Sequence, residues 1–302
     1  MTMCLAALGA NSKAIVCVAD KAINYGGVIE WDSDTTKIIP LAHKGLLAMI
    51  SGDEDPISYL LAELLARVSL GDTRAKIGTT CRECCKSATE ELKIAKFLTP
   101  NLLSKSDYIA AISKKQINAH MMSIANGIRT FEEGAENCRY SLLVCGFDSE
   151  GNPVLYGLTS PGIVTDMTSN GFHAVGSGWE FALGRLLWLD HKRTDDLEKV
   201  LYDTFDAKAT SEMAPGVGYE WDAAIIIPEN GNSVVRPVEK KIKNLVERAW
   251  FDKSLSPYEK RDKDDLKAPP ANWKSQAKDY MKNSILPKPS STPILPSPPS
   301  SQ

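Results

Sequence analysis

The segment TMCLAALGANSKAIVCVAD, residues 2–20, carries the strongest fold signal in this chain. It contains two apolar runs, Leu5–Leu8 and Ala14–Ala19, separated by Gly9-Ala10-Asn11-Ser12. Glycine, asparagine and serine favour tight turns, so this composition predicts a β-hairpin. The second run ends at Asp20, which places a carboxylate at the end of a strand. The chain is therefore predicted to open with two paired strands.

Beyond this hairpin, blocks of strands alternate with blocks of helices. Strand patterns occur at 35–39, 45–50, 140–147, 154–158, 172–175, 223–227 and 233–237. Helical spacing occurs from Pro56 towards Gly71, and at 73–98, 106–126, 179–191, 195–210 and 238–251, with a polar loop at 128–138. Grouped helices between hairpin-rich blocks indicate antiparallel sheets with helical layers, and not a βαβ series. The predicted fold class is α+β.

Composition restricts the possible function classes. The 302 residues are 43% hydrophobic, which permits a sizeable core. A net charge of −3 argues against a nucleic-acid or anionic-membrane partner. No apolar run approaches the roughly 18–20 residues that span a bilayer. The seven cysteines are an odd number with irregular spacing, which is typical of reduced thiols, so we expect a cytoplasmic protein.

The composition also divides the chain into three parts. Residues 1–252 form the predicted folded domain, and 253–285 form a charged extension with one candidate helix near Trp273–Ile285. Residues 286–302 are rich in proline and serine, which predicts a disordered tail. This tail is either a solubilising extension or, through polyproline-II segments near its end, a partner-binding one.

The second residue, Thr2, has chemical potential of its own. A threonine at a mature N-terminus carries a hydroxyl nucleophile and a free α-amine that can accept its proton. Removal of Met1 requires a small second residue, and threonine is small enough. The chain can therefore expose such a nucleophile without a propeptide.

Several short segments resemble the proteasome β-subunit family of N-terminal nucleophile (Ntn) hydrolases, and most closely its bacterial ancestral-β (Anbu) homologues. The matching segments are Thr2, Ala19-Asp20, Thr36-Lys37-Ile38, Ile50-Ser51-Gly52, Gly146-Phe147-Asp148, Leu155-Tyr156-Gly157 and Gly176-Ser177-Gly178. The start Met-Thr-Met-Cys is similar to that of the Anbu homologues. The resemblance covers about residues 2–237. It implies a four-layer αββα sandwich of two antiparallel sheets.

The resemblance also implies roles for individual residues. Thr2 Oγ would attack a carbonyl while its own amine takes the proton. Lys37 would lower the pKa of the nucleophile, and Asp20 would keep Lys37 charged and oriented.

The same resemblance implies roles for four further residues. The backbone N–H of Gly52, or that of Ser51, would face the developing oxyanion, a donor worth roughly 3–4 kcal/mol of barrier. Ser177 would lie near the Thr2 amine and relay protons. Met49 would line the substrate pocket and favour an apolar side chain there.

Two departures from the family pattern leave alternatives open. The hairpin before Asp20 is about two residues longer than usual, and the usual spacing reaches Cys4 instead of Thr2. Cys4 would also be a competent nucleophile, although its exposure would need cleavage after Met3. Glu212 replaces the usual aspartate as an uncertain proton relay, and Pro215 stands at the usual serine.

The preferred function is a proteasome-type threonine peptidase, cleaving peptide bonds in peptides or unfolded proteins. The resemblance implies a homo-oligomeric ring or spiral. Two alternatives remain: a non-catalytic assembly or adaptor subunit, and a hydrolase of small amides. The sequence has no phosphate-binding glycine loop, so any ATPase would be a separate partner.

No cofactor or metal is expected from the sequence. Cys81-Arg82-Glu83-Cys84-Cys85 has half the spacing of a zinc site, but no second half matches it, and a helical surface or subunit contact is preferred. The four histidines are scattered without metal-type spacing and receive no chemical role: His43, His120, His173 and His191.

Overall fold

The structure is a computed structural model. It describes residues 2–25, 29–32, 36–41, 45–69, 71–114, 118–133, 140–229 and 232–254. The predictions for the helix near Trp273–Ile285 and for the tail 286–302 lie outside the described residues, as does Met1.

The strands and helices follow each other in blocks, as the sequence patterns predict. The strands are β1 (Met3–Gly9), β2 (Ala14–Asp20), β3 (Ala22–Tyr25), β4 (Ile29–Asp32), β5 (Ile38–Leu41), β6 (Leu46–Gly52), β7 (Tyr140–Phe147), β8 (Pro153–Thr159), β9 (Ile163–Asp166), β10 (Phe172–Gly176), β11 (Trp221–Glu229) and β12 (Asn232–Pro237). The helices are α1 (Glu54–Arg67), α2 (Arg74–Lys93), α3 (Lys105–Ser113), α4 (Ala119–Glu132), α5 (Trp179–Trp188), α6 (Leu197–Ser211) and α7 (Lys240–Ser254).

Two antiparallel sheets of five strands form the centre of the fold. The first has the order β10-β1-β2-β11-β12, and the second has the order β5-β6-β7-β8-β9. The short strands β3 and β4 form a separate two-stranded ribbon. The opening hairpin is thus central in the first sheet, where β1 pairs with both β2 and β10.

Both faces of the opening hairpin are buried, so its apolar residues alternate between two cores. Cys4, Ala6 and Leu8 of β1 face the core between the sheets, as do Ile15 and Cys17 of β2. The alternate residues of the two strands face the helices on the other side of the first sheet. Successive side chains of a strand point to opposite faces, which explains the nearly continuous apolar runs.

Helices cover the outer face of each sheet. Side chains of α5, α6 and α7 pack on the first sheet. Side chains of α1 and α2 pack on the second sheet. The order helices, sheet, sheet, helices is the four-layer αββα sandwich that the resemblance implied.

The prediction of one helix over 106–126 with a loop from residue 128 was wrong, and residues 134–138 of that predicted loop lie outside the described residues. The helix is divided into α3 and α4, and α4 continues to Glu132. Each helix begins at a capping residue. The Ser104 hydroxyl accepts from the Asp107 N–H, and the Asn118 side chain accepts from the Met121 N–H. These caps satisfy N–H groups that have no partner inside the helix, so they define the two starts.

The preferred interpretation of the cysteine-rich segment in α2 was also wrong. Cys81, Cys84 and Cys85 are buried in the core between α2 and the second sheet, not on a helical surface. Cysteine behaves here as a small apolar residue. In the described part of the chain, no helix has both the length and the apolar character needed to cross a bilayer.

Candidate active site

Three residues predicted from the sequence meet where the two sheets come together. The Lys37 ammonium donates to Oγ1 of Thr2 and, at 3.0 Å, to Oδ1 of Asp20. It also donates to the carbonyl oxygen of Ala22 at 2.5 Å. Thr2 directly precedes β1 and Asp20 ends β2, both in the first sheet, whereas Lys37 directly precedes β5 of the second. The sandwich therefore brings a hydroxyl, an ammonium and a carboxylate into direct contact.

The pairing of β1 with β2 positions the carboxylate. Cys4 lies opposite Ala19, so Met3 and Asp20 are neighbours at the open end of the hairpin. The Met3 N–H donates to Asp20 Oδ1 at 2.8 Å. This bond anchors the carboxylate beside the backbone that follows Thr2.

A third donor to Asp20 was missed by the sequence analysis. The Gly218 N–H donates to Asp20 Oδ2 at 3.0 Å, from the segment that connects α6 with β11. Asp20 is only 1% exposed, so two backbone amides and one ammonium replace its hydration. A backbone amide has no side-chain signature, and no sequence pattern points to this contact.

The electrostatics of this cluster favour an oxyanion on Thr2. Thr2 is buried, and its hydroxyl lies beside the positive charge of Lys37. The same ammonium also contacts Asp20. A nearby positive charge stabilises the deprotonated form of a hydroxyl, and low exposure strengthens the effect. The arrangement can therefore activate an oxygen nucleophile without a metal ligand.

The backbone of β10 can approach the Thr2 backbone closely because residue 176 is glycine. A Cβ atom at this position would lie 2.0 Å from the carbonyl oxygen of Thr2 and 2.9 Å from the Ser51 hydroxyl. The φ of Gly176 is +97°, a conformation that residues with a Cβ rarely adopt. The next residue, Ser177, donates its hydroxyl to the carbonyl of Thr2 at 3.3 Å. Ser177 thus contacts the Thr2 backbone, and the Ser51 hydroxyl lies close to Gly176.

The remaining predicted pocket and oxyanion residues lie on β6. Gly52 ends the strand, is exposed and has a φ of +120°. Ser51, the residue before it, is buried. Met49 has no exposed surface and packs in the core between the sheets. The oxyanion role of Gly52 or Ser51 and the pocket role of Met49 stay predictions, as does the proton relay through Ser177.

The alternative nucleophile, Cys4, is in a different environment. Its side chain is fully buried in the core between the sheets, and its thiol donates to the Ile50 carbonyl at 3.4 Å. Burial raises the pKa of the Cys4 thiol far above its ordinary value, and the negative charge of Asp20 adds to the effect. These surroundings disfavour a thiolate at this position.

Glu212 lies at the C-terminal end of α6. Its carboxylate is ion-paired with the buried Lys208, one turn earlier in the same helix. It also lines a cavity between α6 and α7 together with Tyr219 and Trp250. The segment that follows Glu212 reaches the site through the Gly218 amide, and a relay by Glu212 itself stays a prediction.

Comparisons with known proteins give a likeness in structure. No protein-family model matches the chain, and no curated protein sequence matches it either. Anbu (ancestral beta-subunit) from Yersinia bercovieri is 11% identical and has a TM-score of 0.55, with 86% of this chain and 98% of that one covered. Eukaryotic HslV from Trypanosoma brucei is 17% identical and has a TM-score of 0.49, with 75% of this chain and 100% of that one covered.

The likeness to Anbu agrees with the observed layers. The likeness extends over most of both chains. Because the sequence identity is so low, it shows a shared fold and not a shared function. Two five-stranded antiparallel sheets enclosed by helices are the architecture that the resemblance implied. The chain therefore shares its fold with Anbu.

Proposed function

We propose that this protein is an N-terminal threonine hydrolase that cleaves peptide bonds through an acyl ester on Thr2. The observation that carries the proposal is the contact of the Lys37 ammonium with Thr2 Oγ1, on a lysine held by Asp20. A surface lysine would have no need of a fully buried counter-ion. A lysine that activates a buried nucleophile needs such a counter-ion, because burial disfavours its charged form.

The reaction follows from the groups present. Once Met1 is removed, the free amine of Thr2 accepts the proton of its own hydroxyl, and Oγ1 attacks the peptide carbonyl. The tetrahedral intermediate collapses as the amine returns the proton to the leaving nitrogen and the C–N bond breaks. Water then attacks the ester carbonyl, with the same amine as base, and releases Thr2 Oγ1.

The other residues prepare this chemistry. The charge of Lys37 stabilises the oxygen as it loses its proton, and Asp20 keeps the ammonium aimed at it. Three donors hold Asp20, so the arrangement exists before substrate binds. Groups that are oriented in advance cost no reorganisation during the reaction.

An exposed apolar surface on α5 supports a homo-oligomer. Four large apolar side chains of this helix are at least 41% exposed: Trp179, Phe181, Leu187 and Trp188. So many large apolar side chains left exposed on one helix suit a contact with another protein chain. A ring or spiral of copies would enclose the Thr2 sites and restrict them to peptides or unfolded chains, which a separate ATPase partner would deliver.

The test is intact mass spectrometry after incubation with a peptide epoxyketone. This probe forms a ring with the hydroxyl and the free amine of one terminal residue, so it reports both groups together. We expect loss of Met1 and one adduct, absent from Thr2→Ala but present in Thr165→Ala, a matched change at an exposed threonine of β9. A retained Met1, or turnover that persists in Thr2→Ala, would refute the proposal.

The second candidate is a non-catalytic subunit, favoured by the altered segment after α6. Glu212 is ion-paired with Lys208, and Pro215 is exposed. A protein that loses Met1, assembles, and gives no adduct with any threonine-directed probe would have this function.

A further inference from the structure

A second cluster of charged groups lies at the opposite end of the opening hairpin. It consists of His191, just after α5, and Asp195, just before α6, together with Lys199 and Asp203 of α6. The backbone ties it to the hairpin turn, since the Ala10 N–H donates to the Asp195 carbonyl at 2.7 Å. The cluster is therefore separate from the Thr2 site.

The imidazole of His191 presents to this cluster a buried nitrogen without a hydrogen-bond partner among the described residues. Its Nε2 lies 3.0 Å from the carbonyl oxygen of Leu8. A carbonyl only accepts, so Nε2 carries the hydrogen, and Nδ1 of the neutral ring is a free lone pair. Nδ1 is buried and has no hydrogen-bond partner, and it lies 3.7 Å from Asp203 Oδ2 and 3.9 Å from Asp195 Oδ2.

One of the two carboxylates is also incompletely satisfied, whereas Asp195 Oδ2 accepts from the Lys192 N–H and from Lys199. Asp203 has no exposed surface, and its Oδ1 makes no hydrogen bond within the described residues. Lys199 partly compensates, with its ammonium 2.5 Å from Asp203 Oδ2 and 2.9 Å from Asp195 Oδ2. Two carboxylates against one ammonium leave a negative charge beside a bare ring nitrogen. Buried polar atoms without partners are costly, which points to a missing cation.

We propose that His191, Asp195 and Asp203 form a site for a divalent transition-metal ion of the Zn²⁺ type. One ligand atom from each residue lies within 4.8 Å of the others. Imidazole and carboxylate together suit zinc and its neighbours better than calcium or magnesium. The Nε2 contact with Leu8 supplies the outer hydrogen bond that orients a metal-binding imidazole.

Lys199 is the competitor in this site. Its ammonium forms ion pairs with both carboxylates, at Asp203 Oδ2 and at Asp195 Oδ2. The ammonium therefore occupies one side of the carboxylates. Its side chain is 21% exposed, so it can move to solvent when a metal ion enters.

The bound ion would have a structural role. It would join the turn between β1 and β2 to the first turns of α6, through Leu8, Asp195 and Asp203. Anything that binds only the folded state stabilises that state by mass action. The metal would thus hold one end of the hairpin whose other end carries Thr2.

The experiment is a titration of the chelator-treated, full-length protein with Co²⁺ and then Zn²⁺, followed by absorbance, calorimetry and Tm. We expect one equivalent to bind, without the near-ultraviolet charge-transfer band of a thiolate ligand, and Tm to rise. His191→Gln and Asp203→Asn each weaken binding by at least about 10–100-fold. Asp190→Asn, on the same loop but outside the cluster, binds like the unaltered protein.

Lys199→Gln provides a second measurement that does not depend on the ligand variants being folded. Removal of the competing ammonium tightens Zn²⁺ binding if the cluster is a metal site. If it is only an ion-pair network around a protonated His191, the same change destabilises the protein and Zn²⁺ gives no rescue. That outcome, no stoichiometric uptake by the unaltered protein, or equal binding by Asp203→Asn would overturn the proposal.

Discussion

The two ends of the β1–β2 hairpin carry similar charged groups, but in the described part of the chain only one end has all its polar atoms hydrogen-bonded. At the open end, Lys37 joins Asp20 to the Thr2 hydroxyl. At the turn, Lys199 joins Asp195 to Asp203 beside His191. Each end therefore has a lysine that forms an ion pair with a buried aspartate, beside one further polar side chain.

The difference lies in hydrogen bonding. Both oxygens of Asp20 accept bonds, from Met3, Gly218 and Lys37. In the second cluster, Asp203 Oδ1 and His191 Nδ1 accept none within the described residues. A fully satisfied carboxylate orients its neighbour for a reaction, whereas an unsatisfied pair leaves room for a ligand. The predictions below test this contrast, in order of decreasing effect.

Asp20→Asn should destabilise the protein more than Asp203→Asn in chelator-containing buffer. An amide at position 20 has one accepting oxygen for two backbone donors, and its NH₂ faces an N–H group, so we expect a cost of about 3–5 kcal/mol. At position 203 the replaced oxygen has no partner, and the cost should be about 1.5–3 kcal/mol. Urea unfolding measures both. Equal costs would contradict the contrast between the clusters.

Lys37→Met should abolish most turnover while the chain stays folded. Loss of the charge beside Thr2 Oγ1 is expected to lower kcat by about 100- to 1,000-fold. Lys21→Met is the matched control, because Lys21 forms a longer ion pair with Asp222 at 3.8 Å. Its removal should alter kcat by less than about threefold. A fluorogenic peptide assay decides, and comparable kcat values for the two variants would count against the proposed mechanism.

Gly176→Ala should damage the Thr2 site through crowding. The new methyl group collides with the Thr2 carbonyl, which should cost about 1–3 kcal/mol of stability and most of the turnover. Gly151→Ala separates strain from crowding, since its φ is +79° but no atom lies within 4 Å of its Cβ position. It should lose some stability and no activity. Full peptidase activity in Gly176→Ala would show that Thr2 does not need its observed position.

Cys4→Ala should have the smallest effect, and it discriminates between the two candidate nucleophiles. Deletion of the buried sulfur should cost about 1 kcal/mol in unfolding free energy and leave kcat within about twofold. The epoxyketone adduct should persist. Loss of the adduct in Cys4→Ala, with retention in Thr2→Ala, would transfer the nucleophile to Cys4.

Local patterns were sufficient for most of the fold. Apolar runs around turn residues predicted the opening hairpin, and the order of blocks predicted two sheets with helical layers. The sequence also contains capping signals for the starts of α3 and α4, namely Ser104 with Asp107 and Asn118. These signals were not used to predict the division between the two helices. Strand β9 was missed because its four residues are largely exposed and lack a strong apolar pattern.

The candidate site was predictable only in part. Asp20 and Lys37 each stand at the edge of a strand, where a sequence pattern locates them and a family resemblance assigns their roles. Gly218 contributes only a backbone amide, which every residue but proline has, so no residue type marks it. Met49 was expected to line a pocket, and its complete burial depends on how the two sheets face each other.

Local patterns were enough to predict most strands and helices and to locate Thr2, Asp20 and Lys37, because periodicity and turn chemistry act over a few neighbouring residues. Only the tertiary structure shows which polar and charged groups from distant parts of the chain come into contact. The Gly218 N–H donates to Asp20 across a separation of 198 residues in the sequence. His191, which has no metal-type spacing in the sequence, lies beside Asp203. Burial then determines how strongly these groups interact, because removal of water makes each paired charge stronger and each unpaired atom more costly.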